Sequence, residues 1–99
     1  MCEFKVSNKS DKAQIAEEIL VLSYSDENVL QLRDILGVAE QVESGLIYDV
    51  NTLDQTCSII QHPLVQPFIK LVDNLSSQNA TPEQIDEIID KLEDLKAAL

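Results

Sequence analysis

The feature that most constrains this chain is a change of hydrophobic period at His62-Pro63. Upstream, apolar residues recur at every second position in short runs; downstream they recur every third or fourth. Period two belongs to strands with one face buried, and a period near 3.6 belongs to helices. Proline sharpens the break, because it removes a ladder donor and biases the residue before it toward extended geometry. The chain therefore divides into a strand-rich part, residues 1–62, and a helical part, residues 63–99.

In the first part, residues 2–7 alternate, with Cys2, Phe4 and Val6 on one face and Glu3, Lys5 and Ser7 on the other. The polar run Asn8–Lys12 is a loop. Residues 15–24 contain Ile19-Leu20-Val21-Leu22; Glu17 and Glu18 favour helix, but Val21, Ser23 and Tyr24 favour strand, and a strand is the reading. Turn chemistry at Ser25-Asp26-Glu27-Asn28 precedes a strand from Val29 to Leu36, with Leu30 and Leu32 facing opposite to Gln31 and Arg33. Gly37 ends it, residues 38–44 form a further strand, and Gly45 punctuates again. Residues 46–51 set Leu46, Tyr48 and Val50 against Ile47, Asp49 and Asn51, with Tyr48 on the apolar face, and Thr56–Gln61 is the last strand. Six short strands joined by turns predict a small antiparallel β-barrel or sandwich, whose closure would remove exposed edges.

In the second part, Pro67 sits near a helix start, and Phe68, Leu71, Val72 and Leu75 follow at helical spacing. Thr81-Pro82-Glu83-Gln84 is a capping box with proline at the first helical position. The helix it opens places Ile85, Ile88, Leu92, Leu95 and Leu99 at coiled-coil intervals, with Ile89 broadening the stripe. A helix this short is marginal alone in water, so it must dock on the preceding helix, on the barrel, or on a second copy of itself. The fold class is thus α+β, a six-strand barrel or sandwich with a two-helix tail.

Charge and motifs exclude several function classes. The formal net charge of −11 is spread along the chain, −7 over residues 1–62 and −4 over 63–99, with no basic arm. Such a field repels phosphate backbones and anionic lipid. No run of about 18 apolar residues is available to span a bilayer. The start, Met1-Cys2-Glu3-Phe4-Lys5, lacks the apolar stretch of a secretory signal, so a cytoplasmic location is the expectation. There is no Walker loop, no glycine-rich dinucleotide fingerprint, no Cys-x-x-Cys pair and no calcium loop. Nothing in the residues argues for an enzyme.

The remaining chemistry concentrates at Cys2. If Met1 is removed, the α-amine and the thiolate of Cys2 close a chelate ring on a metal. If Met1 stays, its amine, the peptide nitrogen and the thiolate wrap one edge of a square plane. Mixed nitrogen and thiolate donors in a plane suit Ni(II) or Cu(II). The other reading is equally physical: Cys2 shares parity with Phe4 and Val6, and a free cysteine is a good small apolar filler. One cysteine cannot complete a four-ligand site, so a symmetric dimer would have to supply two. Cys57 shares parity with Ile59 and reads as core; His62, the only histidine, reads as a boundary residue. Asp86, Glu87, Asp90, Glu93 and Asp94 read as the solvated face of the last helix.

Three segments carry a family resemblance: the opening Met1-Cys2-Glu3-Phe4-Lys5-Val6, the stretch Leu32-Arg33-Asp34-Ile35-Leu36-Gly37, and Ile47-Tyr48-Asp49-Val50. Together they resemble the CooT family of small proteins from anaerobic bacteria and archaea, also labelled predicted RNA-binding proteins, over about residues 1–62. The resemblance implies a small barrel-like homodimer that binds nickel through the cysteine at position two, near the dimer interface. It also implies a role in metalloenzyme maturation, with a metalloenzyme client. Residues 63–99 depart from that pattern, since typical members end soon after the last strand. Hydrogenase maturation proteins also begin Met-Cys, but continue with a Leu and a Pro that Glu3-Phe4 does not match. Two other readings stand beside the nickel one. An RNA-binding barrel is opposed by the charge, and a non-catalytic interaction module would act through the helical tail.

Overall fold

The computed structural model describes residues 3–99. Six strands, β1 (Phe4–Asn8), β2 (Gln14–Tyr24), β3 (Leu30–Asp34), β4 (Ala39–Val42), β5 (Gly45–Asn51) and β6 (Thr56–Gln61), precede two helices, α1 (Val65–Ser76) and α2 (Pro82–Ala98). The protein is α+β, with all strands in one curled sheet of order β4-β3-β2-β1-β6-β5. Of the strand expected at 2–7, Cys2 lies outside the described residues, and β1 itself starts at Phe4.

The sheet is mixed rather than antiparallel. Four pairings are antiparallel, but β1 and β6 run parallel, with Val6 opposite Cys57 and Asn8 opposite Ile59. The cause is the link Glu43-Ser44, which carries the chain from β4 to β5 without reversing it, so that β6 returns beside β1 in the same sense. Periodicity fixes which face of a strand is buried, not its direction. It therefore could not distinguish this route from a meander.

The same link forces the curl. β4 and β5 are the two edges of the sheet, and in a flat six-strand sheet they would lie about 24 Å apart. Two intervening residues span at most about 11 Å. The sheet must roll up until its edges nearly meet. β2 absorbs the bend: its first half pairs with β1, its second with β3, and Glu18 adopts φ 58° where the register shifts. That conformation explains how Glu17 and Glu18 sit inside a strand.

Gly45 sits at the closing corner. A Cβ there would lie 2.9 Å from Val42 Cγ1, 3.1 Å from Leu30 Cδ2 and 3.4 Å from Ile59 Cγ2. Beside it, Tyr24 bridges the open seam from β2. Its hydroxyl donates to the Gly45 carbonyl at 2.8 Å and accepts from the Ile47 amide at 3.2 Å. These are edge groups of β5 that face away from β6, so the phenol stands in for a missing neighbour strand.

The core comprises Val6, Ile19, Leu30, Leu32, Val42, Cys57 and Ile59, all buried, with Phe4, Tyr24 and Ile47 packed against it. The inward faces of β1, β3 and β6 match the alternation in the sequence. In β5 the face is reversed at its start: Ile47 points inward, while Leu46 and Tyr48 are 40% and 58% exposed; the register then shifts between Ile47 and Asp49, so that Val50, 49% exposed, lies opposite Cys57. Gly45 decides this. Only a residue without a side chain fits against the core there, so its successor must point out. Tyr48 instead receives Lys9, whose Nζ lies 4.5 Å from the ring centroid.

The helices form an antiparallel hairpin that extends from the barrel. His62 Nδ1 accepts from the Leu64 amide at 3.0 Å, shaping the entry to α1. The capping box at Thr81 is formed in both directions, with Pro82 at the first helical position. α1 packs on β5 and α2 packs on α1, so the three bodies lie in a row. The molecule measures 45 × 32 × 22 Å, and its radius of gyration of 15.4 Å exceeds the roughly 13 Å of a compact chain of this length. No helix among the described residues is long and apolar enough to cross a membrane.

Candidate functional site

Two regions carry the possible chemistry, the start of the barrel and the exposed side of the hairpin. The candidate ligands Cys2 and Met1 lie outside the described residues, so the site is defined by what surrounds the start of β1. There, the Lys5 amide donates to the Gln55 carbonyl at 3.0 Å, which ties β1 to the turn before β6. On the other side, Phe4 is opposite Ile19, and Ile19 is opposite Asp34. Asp34 is thus about 10 Å from Phe4, two strand spacings away.

The segment Leu32–Gly37 is a strand end and a turn, shorter as a strand than its sequence suggests. Asp34 Oδ1 accepts from the amides of Leu36 and Val38, both at 2.9 Å, and the Arg33 guanidinium donates to the Gly37 carbonyl at 2.7 Å. Gly37 has φ 83°, which glycine adopts without strain. The turn holds Ile35, Leu36 and Val38 out of the core, with Leu36 84% exposed. In the turn before β6, Leu53 is 93% exposed. Strand reading alone put Ile35 and Leu36 inside a strand. Asp34 followed three residues later by Gly37 is the turn signal that would have released them.

The other candidates fall where sequence reasoning put them. Cys57 is buried opposite both Val6 and Val50, and burial, with Asp49 adding to it, pushes its thiol above the ordinary range. A thiol held protonated in an apolar core is packing, not a ligand. His62 is exposed, with Nδ1 already engaged by Leu64. Asp86, Glu87, Asp90, Glu93 and Asp94 are all exposed on α2. Among the described residues, no three of His, Cys, Asp and Glu gather in a group able to hold a metal.

The hairpin presents the second region. At 100° per residue, α1 turns Val65 and Ile69 toward β5 and Leu71 toward α2. Phe68, Val72 and Leu75 fall between those two contacts and are about half exposed. On α2, Ile88 is buried and Leu95 half-buried against α1, while Ile85, Ile89 and Leu92 lie to one side of that line and are also about half exposed. The C-terminal half of α2 lies beside the start of α1, where Lys91, Asp94 and Leu95 share a 240 Å³ cavity with His62, Pro63 and Leu64. In such an antiparallel pair the sense of rotation reverses, so both exposed stripes emerge on the same side.

The barrel adds a wall to this face. Leu46, turned outward by Gly45, joins Tyr24, Phe68, Ile69 and Val72 around a cleft of about 690 Å³ with Asp26 and Asp73 at its rim. An adjoining 300 Å³ recess is lined by Leu46, Leu64, Val65, Phe68, Ile69 and His62. Two polar bonds fix α1 against the barrel: Asn28 Nδ2 donates to Asp73 at 3.1 Å, and Gln66 Nε2 donates to the Glu27 carbonyl at 3.2 Å. Sequence periodicity located the helical stripes but missed Leu46, which the reversed face of β5 brings to them, and Tyr24, which reaches the cleft from β2 across the open seam.

No family model matches the chain, and no curated protein matches it either.

Proposed function

We propose that the chain is a non-catalytic accessory protein that binds Ni(II) through Cys2, as a homodimer, in the maturation of a metalloenzyme. The reading rests on the resemblance over residues 1–62. The observation that carries it is the arrangement of the resembling segments: β1 is at the centre of the sheet, with Leu32–Asp34 two strands to one side and Tyr48–Val50 two strands to the other. The turns flanking the start of β1 carry Leu36 and Leu53, aliphatic side chains held almost fully in solvent. A second copy seated on them would bring two Cys2 thiolates to one place, which a planar nitrogen and thiolate site requires.

In this reading the donors are the Cys2 thiolate and the amine or backbone nitrogen at Met1, contributed by two chains, while Cys57 is buried in the core. Nickel in this role is cargo. Because the ligand is the thiolate, uptake releases protons and weakens as pH falls below neutral.

Calorimetric titration of Ni(II) into protein with a native, untagged N-terminus tests the proposal. The expected result is one metal per two chains, with binding lost in Cys2→Ser and weakened in Leu36→Asp together with Leu53→Asp. Unchanged affinity in Cys2→Ser removes the reading.

A further inference from the structure

We infer that the apolar face shared by α1, α2 and the barrel wall is a docking groove for a cationic amphipathic helix of a partner protein. Phe68, Val72, Leu75, Ile85, Ile89 and Leu92 line it; with Leu46 beside them, each is 40–52% exposed. Together they present on the order of 500 Å² of apolar surface, at the upper end of what monomeric proteins leave uncovered. The face is long enough for a helix, since α1 and α2 have 12 and 17 residues, or about 18 and 25 Å.

The charge around the face selects the occupant. A second copy seated on it would set an equally acidic rim against this one. The rim is acidic on both sides: Asp86 and Glu93 border Ile89 on α2, and Asp26 and Asp73 border the cleft beside the barrel. Lys96, one turn beyond Leu92, is the cation on the α2 stripe among the described residues. An apolar floor between acidic rims is complementary to a helix with apolar residues at i, i+3, i+4 and i+7 and lysine or arginine on its flanks. This inference is independent of the metal proposal, because the groove uses neither Cys2 nor the turns at Leu36 and Leu53.

The test is titration of the isotope-labelled full chain with three synthetic peptides of roughly 18 residues, one helix-length of the groove. The first is a leucine and lysine sequence patterned as an amphipathic helix. The second has the same composition in scrambled order, and the third replaces lysine by glutamate. The first peptide is expected to shift Phe68, Val72, Leu75, Ile85, Ile89 and Leu92, to bind about tenfold or more tightly than the others, and to weaken with salt. Val72→Asp with Ile89→Asp, each placing a carboxylate in the contact, is expected to weaken it about tenfold or more, with barrel resonances unchanged. Equal binding of the patterned and scrambled peptides would reduce the effect to bulk charge and overturn the inference, as would an absence of shifts on those six residues. A sedimentation mass of two chains that returns to 11.1 kDa in the doubly substituted protein would identify a second copy as the occupant, and so would also overturn it. A dimer held at Leu36 and Leu53 would survive those substitutions.

Discussion

Replacing Gly45 by alanine measures how tightly the rolled sheet is closed. The new methyl would lie 2.9 Å from Val42 Cγ1 and 3.1 Å from Leu30 Cδ2, both closer than ordinary van der Waals contact, and both on buried side chains that are themselves held. Overpacking a tight core by one methyl costs about 1–3 kcal/mol. Against it stands the lower unfolded-state entropy of alanine, which stabilises by about 0.4–1 kcal/mol where the backbone allows it, as it does here because Gly45 has no positive φ. The clash is larger, so Gly45→Ala is expected to destabilise by about 1–2 kcal/mol. With a urea slope of about 1–2 kcal/mol/M, the midpoint falls by roughly 1 M. Val42→Ala removes the nearest atom and leaves a small cavity of its own. In the double variant the introduced methyl partly fills that space, so the two losses are expected to be less than additive by about 0.5 kcal/mol or more. Strictly additive losses, or a Gly45→Ala protein as stable as the parent, would refute the claim that the corner lacks room for a side chain.

Two further outcomes follow from named contacts. Tyr24→Phe removes the hydroxyl that satisfies both the Gly45 carbonyl and the Ile47 amide, and is expected to cost about 1–3 kcal/mol, with faster amide exchange at Ile47 and at residues 45–47 generally. Cys57 makes stability fall with alkaline pH: its folded thiol titrates above the unfolded one, so the folded state holds the proton longer. The contribution is whole below the unfolded value, near 8.5, and is lost as pH rises through the folded value. Urea midpoints from pH 7 to 10 are expected to decline less in Cys57→Ala than in the parent, after allowance for its lower starting stability; parallel curves would contradict the burial of this thiol.

The parts legible in the sequence were those set by local chemistry. Alternation placed Val6, Leu30, Leu32, Cys57 and Ile59 inward, and Thr81, Pro82 and Gln84 fixed the start of α2 to the residue. The parts that were not legible depend on the path of the chain through space. The parallel pairing of β1 with β6 follows from a two-residue link that fails to reverse direction, and no side-chain pattern encodes that. β5 misled because Leu46, Tyr48 and Val50 outweigh a face that holds Ile47 with Asp49 and Asn51, so alternation pointed to the wrong side, whereas the lack of room at Gly45 and the register shift after Ile47 set the outcome. The apolar face on the hairpin was half legible: its stripes are in the sequence, but their shared side and the wall at Leu46 need the antiparallel pairing and the reversed strand.

The reversal at the start of β5 links the fold to the surface. An outward Leu46 is unfavourable for a barrel alone, since burying a leucine is worth about 1.5–3 kcal/mol, yet Ile47 rather than Leu46 takes the inward place after Gly45. What makes the arrangement consistent is Gly45. Its missing side chain allows β4 and β5 to approach closely enough for the sheet to roll up, and strand parity then turns Leu46 toward α1, where it borders both the cleft beside Tyr24 and the recess beside Leu64. Any residue larger than glycine at that corner would push the edges apart or shift the register by one, and a shift of one would withdraw Leu46 from the helices. The helical tail therefore depends on the barrel for more than attachment: closure of the sheet and the apolar wall beside α1 are set by the same residue.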